Sequence, residues 1–597
     1  MKKIKSFKLR NGLYFIENTD KISRVLSYIS IVIALVTLSS VFYHLGFYTT
    51  EKIEKIIIGF IFVSFFFFFL KYFFLLFYAY NRKQYFRKHL VEGLFLLFFV
   101  VYSTLLFCLN KSAWEHYQTY YIFVFFVQLY FLMVSLLEWI HTNEFLSKIH
   151  ISPPVLMIIS FFIIIIIGTI LLMMPRMTNR DISFVDALFT STSASCVTGL
   201  TVLNTGTDFT FRGHFVILLL MQLGGISILA FATFFAAFFA SSRIGIKQQH
   251  LIKDFFSTST ITDSISMLRE IVLATVLIET IGVISLYYYW SSSGLFTNNS
   301  TNLFYSFFHA ISAFTNAGFC LWDDNFMNEA IFSNYFPQIV VICLVVMGGM
   351  GFIFFHDVFS PKQIKERKVH KWKKLTPSTK IVLYTTLVIL VSGTVIFYFV
   401  EQHFSLVNFK SFGESVLASV FQIVNSRSAG FSTLKINALS VPALLLVMLI
   451  MFIGASPGST GGGIKTTTAF VIFKSVAATI RGKNSIEFQK KTIPFEIVDK
   501  AYSIVVMSFL IILISVFTLA IVEPNFSFIT LLFESISALS ICGLSMGCTP
   551  ELSEAGKIVL IINMYIGRIG TLSIAFALAR RIKQTNRQYP DTYFMVG

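Results

Sequence analysis

Residues 526–547 read "FSFITLLFESISALSICGLSMG": about fifteen apolar or small residues, then a turn with one glycine, Gly543. A helix of that length is too short to cross a bilayer, which needs about 20 residues. It sits nonetheless between two apolar runs long enough to do so. The same pattern occurs three more times, as "SFVDALFTSTSASCVTGLT" (183–201), "NLFYSFFHAISAFTNAGFC" (302–320) and "SFGESVLASVFQIVNSRSAGFST" (411–433). The glycines Gly199, Gly318, Gly430 and Gly543 are 119, 112 and 113 residues apart. A period near 115 residues, holding a span, a short helix, a glycine turn and a second span, is an internal repeat.

Composition agrees with a membrane solvent. Of 597 residues, 55% are hydrophobic and only 13% charged, with 70 phenylalanines. A soluble globule cannot hide that much apolar surface. Apolar runs occur near 24–45, 55–80, 91–110, 118–140, 153–174, 213–240, 268–290, 335–358, 379–400, 439–473, 497–522 and 557–580, which predicts twelve spans. The net charge of +17 suggests nucleic acid only for a soluble protein. Here Arg82–Lys88, Arg243–Lys253, Lys362–Lys380, Lys474–Lys491 and Arg580–Arg587 fall in every second connection, the positive-inside pattern. Both termini are therefore expected in the cytoplasm, and no nucleic-acid partner is implied. The basic start, Met1 to Arg10, is expected to precede a retained helix rather than to form a cleaved signal. The six cysteines show no metal-ligand spacing, and no nucleophile–base pair or metal motif lies within the spans, so catalysis is not expected.

A short helix that stops inside a membrane is tolerated only where its end lines an enclosed, water-filled path. Each C-terminus carries about half a negative charge. Four such ends meeting on one axis favour a cation, and the following carbonyls can replace its hydration shell. The candidate lining is Val197, Thr198 and Gly199; Asn316, Ala317 and Gly318; Ser428, Ala429 and Gly430; Ile541, Cys542 and Gly543. None of these turns holds a carboxylate, which argues against a divalent ion. Arg427, beside the third turn, is expected to brace it by pairing with Glu534 or Glu414. His309 and the pair His356-Asp357 raise proton coupling, although histidines near span ends are usually interfacial. Asp186 reads as a partner of its own helix N-terminus or a vestibule charge.

With these residues, the chain resembles the Trk/Ktr/HKT superfamily of potassium transporters, nearest its TrkH/KtrB-type membrane subunits. The resemblance rests on the four turn glycines, "RSAGFST" (427–433), "GSTGGGIK" (458–465), "GLSMG" (543–547) and "IGRIG" (566–570), and covers about 153–585. It implies an all-α integral membrane protein with four M1–P–M2 repeats around a central pore: residues 151–255, 256–375, 376–490 and 491–597. Residues 1–150 would add four N-terminal spans, making about twelve spans and four pore helices. The implied cargo is K+ held by the filter backbone, with no bound cofactor. Sodium-preferring relatives often carry serine at the first filter position, so four glycines favour potassium.

The tract "GASPGSTGGGIKTTT" (454–468) breaks the second span of the third repeat. A phosphate-binding loop is disfavoured because Ile464 separates Gly463 from Lys465 and no strand precedes it. A passive kink remains open. The resemblance implies an intramembrane gate built from Gly454, Ser456, Gly458, Ser459, Thr460, Gly461, Gly462, Gly463 and Lys465. It also places Arg568 facing the pore beside this loop; the alternative for Arg568 is snorkelling to the cytoplasmic edge. Further implications are a homodimer in the bacterial inner membrane, surrounded by lipid, with a cytosolic TrkA/KtrA-type nucleotide-binding regulatory subunit; Lys362–Lys380 and Lys474–Lys491 are its candidate docking surfaces, the alternative for both being positive-inside topology alone. Two other readings stay open: a sodium-permeable or sodium-coupled member of the same superfamily, and an unrelated 12-span carrier, which should show two inverted halves instead of four repeats.

Overall fold

The chain was analysed as a computed structural model. It describes residues 2–78, parts of 86–101 and 124–135, 153–225 and 261–574, apart from short gaps at 297, 324, 328–334, 371–373, 408, 410, 484 and 572. The expected spans at 91–110 and 118–140, the end of 213–240, the end of 557–580 and most of the basic loops lie wholly or largely outside the described residues.

The described chain is helical except for one small hairpin. The principal helices are α1 (Lys2–Gly46), α2 (Glu51–Tyr78), α3 (Pro153–Leu172), α4 (Phe184–Cys196), α5 (Phe211–Gly225), α6 (Ile261–Ser293), α7 (Asn299–Thr315), α8 (Tyr335–Met350) and α9 (Phe352–Phe359). They continue with α10 (Pro361–Val369), α11 (Pro377–Glu401), α12 (Phe412–Asn425), α13 (Val441–Ile453), α14 (Thr466–Ile480), α15 (Phe495–Val522), α16 (Phe528–Ser540) and α17 (Glu554–Ile569). Strands β1 (Ile486–Phe488) and β2 (Lys491–Ile493) pair antiparallel between α14 and α15.

Among the described residues, five helices are long and apolar enough to cross a membrane: Val25–Gly46, Glu51–Phe77, Glu270–Ser293, Pro377–Glu401 and Phe495–Val522. Their outward faces carry exposed Phe, Leu, Ile and Val, for example Phe509, Leu513 and Phe517 on α15. In water such a surface would aggregate; it suits lipid. The expected span at 335–358 is divided into α8 and α9, bent by 94° at a break. The bend falls at Gly351, with φ +84°. The amide of Phe352, just past the bend, donates to the carbonyl of Gly458 at 3.0 Å. The loop between α13 and α14 thus docks in the angle between α8 and α9. The expected span at 439–473 is likewise divided into α13 and α14.

The four short helices α4, α7, α12 and α16 are each more than half buried along their length. Three start at a serine N-cap, whose hydroxyl accepts the amide three residues on: Ser183 from Asp186, Ser411 from Glu414 and Ser527 from Thr530. Each such cap stabilises its helix by about 1 kcal/mol. Each helix carries a fully buried phenylalanine: Phe189, Phe308, Phe421 and Phe533. Asp186 also pairs with Lys557 at 2.7 Å, tying the start of α4 to the start of α17. It therefore acts as a helix-terminus partner.

Candidate functional site

The short helices end alike in three cases. In α4 the amides of Val197 and Thr198 donate to the carbonyls of Ala194 and Ser193. Asn316 and Ala317 do the same to Ala313 and Ser312, as do Ile541 and Cys542 to Ala538 and Ser537. This is the hydrogen-bond pattern of a Schellman cap. Its left-handed residue is normally glycine, yet here Val197, Asn316 and Ile541 take φ values of 61°, 61° and 56°, with Ser428 at 77°. A β-branched residue in that region is an outlier that costs of order 1–3 kcal/mol, the kind of strain that collects at functional sites.

Two residues further on stand Gly199, Gly318, Gly430 and Gly543, all at positive φ between 72° and 89°. They form a closed ring. A Cβ on Gly199 would meet the carbonyl oxygen of Ala317, one on Gly318 that of Ala429, one on Gly430 that of Cys542, and one on Gly543 that of Thr198. Every one of those approaches is closer than 3 Å, so no side chain fits without movement. Four equivalent carbonyls and four glycines therefore alternate around one axis. All twelve predicted lining residues come together here, and all are buried.

On one side of the ring lies a cavity of about 800 Å³, lined by the four glycines and by residues that include Asp208, Asp323, Ser432 and Ser545. On the other side lies the loop 454–465. Its neck is closed by the amide of Ala455 donating to the carbonyl of Gly462 and by Ile464 donating to Phe452, both at 3.0 Å. A Cβ on Gly463 would press on the Cα of Gly454 at 2.8 Å. Inside the loop the hydroxyl of Ser459 donates to Ser456 at 2.6 Å, and Lys465 Nζ donates to Gly461 at 2.8 Å. Outward, Ser456 and Thr460 donate from their amides to Gly349 and Gly348 of α8. The Thr460 hydroxyl reaches the carbonyl of Phe314 at 3.4 Å, and the Gly462 amide donates to Ser428 Oγ at 2.7 Å.

Arg568 is 3% exposed, so it does not snorkel. Its guanidinium donates to the carbonyl of Thr460 in the loop and to the carbonyl of Gly224 in α5, and lies over the Phe161 ring at 5.7 Å. It ties the loop to α5 and α17.

Of the two partners expected for Arg427, Glu534 and Glu414, the pairing with Glu534 is not formed. Arg427 Nε donates to the carbonyl of Gly454 at 3.3 Å, and another of its nitrogens to the Thr386 hydroxyl at 3.4 Å. Glu534 is already occupied by the Ser545 hydroxyl, the Met546 amide and the Thr549 hydroxyl, at 2.6, 2.9 and 2.9 Å. A buried carboxylate with three donors has its oxygens satisfied. Each residue thus braces a different segment: Arg427 the loop's entrance, Glu534 the strand of chain leaving the fourth turn. His309 is similarly committed. Its ring lies between the carbonyl of Tyr305 and the amide of Leu321 and stacks on Trp322, with ring centroids 4.1 Å apart. That is structural support for the second turn.

Two glycines, Gly224 and Gly348, were not singled out from the sequence, and a third, Gly567, stood only within the motif "IGRIG". Gly224, Gly348 and Gly567 let α5, α8 and α17 pack directly on the last carbonyls of α4, α7 and α16, those of Ser195, Phe314 and Leu539. The readable signal was their position, 24 to 30 residues after each turn glycine.

The fold and this ring define a class: a multi-pass α-helical membrane protein whose re-entrant helices end on one carbonyl-lined ring. The family model for TrkH, a cation transport protein, matches residues 118–588. The Ktr system potassium uptake protein B of Bacillus subtilis is 36% identical over 468 residues, covering 76% of this chain and 99% of that protein. The Potassium/sodium uptake protein NtpJ of Enterococcus hirae is 32% identical, covering 75% of this chain and 98% of its own. Among solved structures, the potassium transporter TrkH from Vibrio parahaemolyticus aligns with a TM-score of 0.56 at 16% identity, over 82% of this chain and 97% of that one. The chain belongs to the TrkH/KtrB-type family of membrane cation transporters, and it is a transport protein, not an enzyme.

Proposed function

We propose that the chain takes up potassium ions through the ring of Gly199, Gly318, Gly430 and Gly543, with the 454–465 loop as its gate. The observation that carries this is the closed order of the ring, each glycine facing the next turn's carbonyl. Backbone oxygens on a bare axis replace a monovalent ion's hydration shell, and the four helix ends add negative potential. The loop blocks that axis from one side, with Arg568 and Lys465 raising an electrostatic barrier beside it.

The architecture we infer is four M1–P–M2 repeats, 151–255, 256–375, 376–490 and 491–597, with four more spans in 1–150. The basic connections support cytoplasmic termini in a bacterial inner membrane. Two relatives are named as component B of a Ktr system, which supports a cytosolic regulatory subunit of the TrkA/KtrA type beneath a homodimer. A second reading, sodium permeation, draws on the name of the Enterococcus relative, a potassium/sodium uptake protein.

Cation flux into proteoliposomes, with and without a cytosolic partner, separates them. Potassium and rubidium are expected to pass and sodium to be excluded. Equal sodium and potassium fluxes would move the chain to the second reading. No flux of any of the three from folded protein, with its partner present, would end both.

A further inference from the structure

Four residues hold the equivalent left-handed position before the ring: Val197, Asn316, Ser428 and Ile541. Ser428 alone among them carries a hydroxyl, and it is 1% exposed. Its Oγ accepts the amide of Gly462 at 2.7 Å. It lies 2.7 Å from the carbonyl of Ile541 and 3.1 Å from that of Ser540, in the neighbouring turn. A hydroxyl has one proton to give, and the shorter contact takes it. The chain of bonds therefore runs from the loop's Gly462 N–H through Ser428 to the Ile541 carbonyl. One residue beyond Ile541 is Cys542, whose carbonyl is the one that Gly430 faces. Nothing equivalent is available elsewhere. Val197 and Ile541 have no polar side-chain atom, and the Asn316 amide, correctly oriented, donates to Ala313 and Val345.

We propose that Ser428 is a positioning residue that couples the loop to the carbonyl ring. The inference rests on the gate reading. With the loop in place, the Gly462 amide fixes the hydroxyl's orientation and commits its proton to Ile541. When the loop withdraws, that amide leaves, the hydroxyl is free to turn, and the Ile541 carbonyl regains a lone pair. Closure of the loop and the held conformation of the fourth turn thus stabilise each other. Such a coupling is reciprocal: an ion that favours one ring conformation also biases the loop.

The test compares potassium flux in proteoliposomes for the wild type, Ser428→Ala, a deletion of 456–462, and both changes together. Hydrogen exchange of the peptide spanning 454–465 is followed in each full-loop protein. Ser428→Ala is expected to raise flux about 2–10-fold, the size of one net hydrogen bond, and to speed exchange of that peptide. In the loop-deleted background the same substitution is expected to do nothing further. An equal factor in both backgrounds would mean a local role in the turn and overturn the coupling, as would unchanged exchange. If deletion alone fails to raise flux, the gate reading fails instead, which the four-way comparison distinguishes. Should the alanine variant not fold, Ser428→Cys keeps the shape in a slightly larger side chain but offers only a weak donor and acceptor. It is expected to shift flux and exchange in the same direction, and wild-type behaviour in it would overturn the proposal.

Discussion

The third short helix differs from the other three at three points. In α4, α7 and α16 ten residues separate the buried phenylalanine from the ring glycine, as in Phe189 to Gly199; from Phe421 to Gly430 there are nine. One residue fewer shifts the helix end. The amide that reaches back five residues is then that of Gly430 itself, donating to Asn425, where the other repeats use the residue before the glycine. The second difference is a serine six residues before the glycine. Ser193 and Ser537 accept the amides of Gly199 and Gly543 at 3.1 and 3.2 Å, and Ser312 donates to Phe319 at 2.8 Å. The third repeat has Val424 there. Thirdly, a glycine of the following span presses on the helix end in repeats one, two and four. In the third repeat that span stops at Gly454, whose carbonyl takes Arg427 instead. Three turns are thus clamped by their own repeat. The third is held by the loop.

The largest effect expected from this asymmetry is on the loop. Its attachments outside its own repeat include the two bonds to α8, the hydroxyl contact to Phe314 and the bond from Arg568. At about 0.5–1.5 kcal/mol net for each neutral bond, and more for a charged donor, a closed state is favoured by a few kcal/mol. Deleting 456–462 should raise potassium flux about 10–100-fold in folded protein, measured as rubidium uptake. Arg568→Ala removes one of these ties, together with the bond to Gly224 of α5, and should give a smaller rise in the same direction. A fall in flux from either folded variant would show that the loop supports the path rather than blocks it.

The ring glycines come next. The built Cβ contact is tightest at Gly543 and loosest at Gly430, where it is 2.9 Å. Overpacking of this kind costs roughly 1–3 kcal/mol, and the cost falls where neighbours can give way. Serine at Gly199 or Gly543 should lower the potassium-to-sodium permeability ratio about tenfold or more, whereas serine at Gly430 should lower it least. Equal losses at all four positions would mean the third turn is as rigid as the rest.

How much of this could be read beforehand depended on whether a feature was periodic. The glycine spacing alone points to four equivalent turns, and these are the turns that meet on the ring. The nine-residue interval in the third helix was equally visible, although its consequence needed the hydrogen bonds. The bend at Gly351 was not readable, because "MGGMG" (347–351) is compatible with a straight apolar span. It bends for what packs against it, a loop more than a hundred residues away. The Arg427–Glu534 pairing failed for a similar reason. Opposite charges near one turn suggest a pair, but Glu534 finds three donors within 15 residues of itself, and Arg427 finds a carbonyl that exists as a free acceptor only because the span breaks at Gly454.

The smallest expected effect tests the clamps themselves. Ser537→Ala removes the hydroxyl that accepts the Gly543 amide and leaves that amide without its acceptor. An unsatisfied buried donor costs about 1–3 kcal/mol, less whatever a local shift recovers. Thermal unfolding in detergent should fall by a few degrees, with potassium selectivity reduced modestly. Ser193→Ala should behave alike, since its geometry is nearly the same. Val424→Ser places a hydroxyl at the matching position of the third repeat, yet should stabilise nothing. The one-residue shortening has already moved the Gly430 amide onto Asn425, so no donor waits for it. A gain in stability from Val424→Ser would show that the third turn lacks only a serine, and that its shortened helix is not what leaves it to the loop.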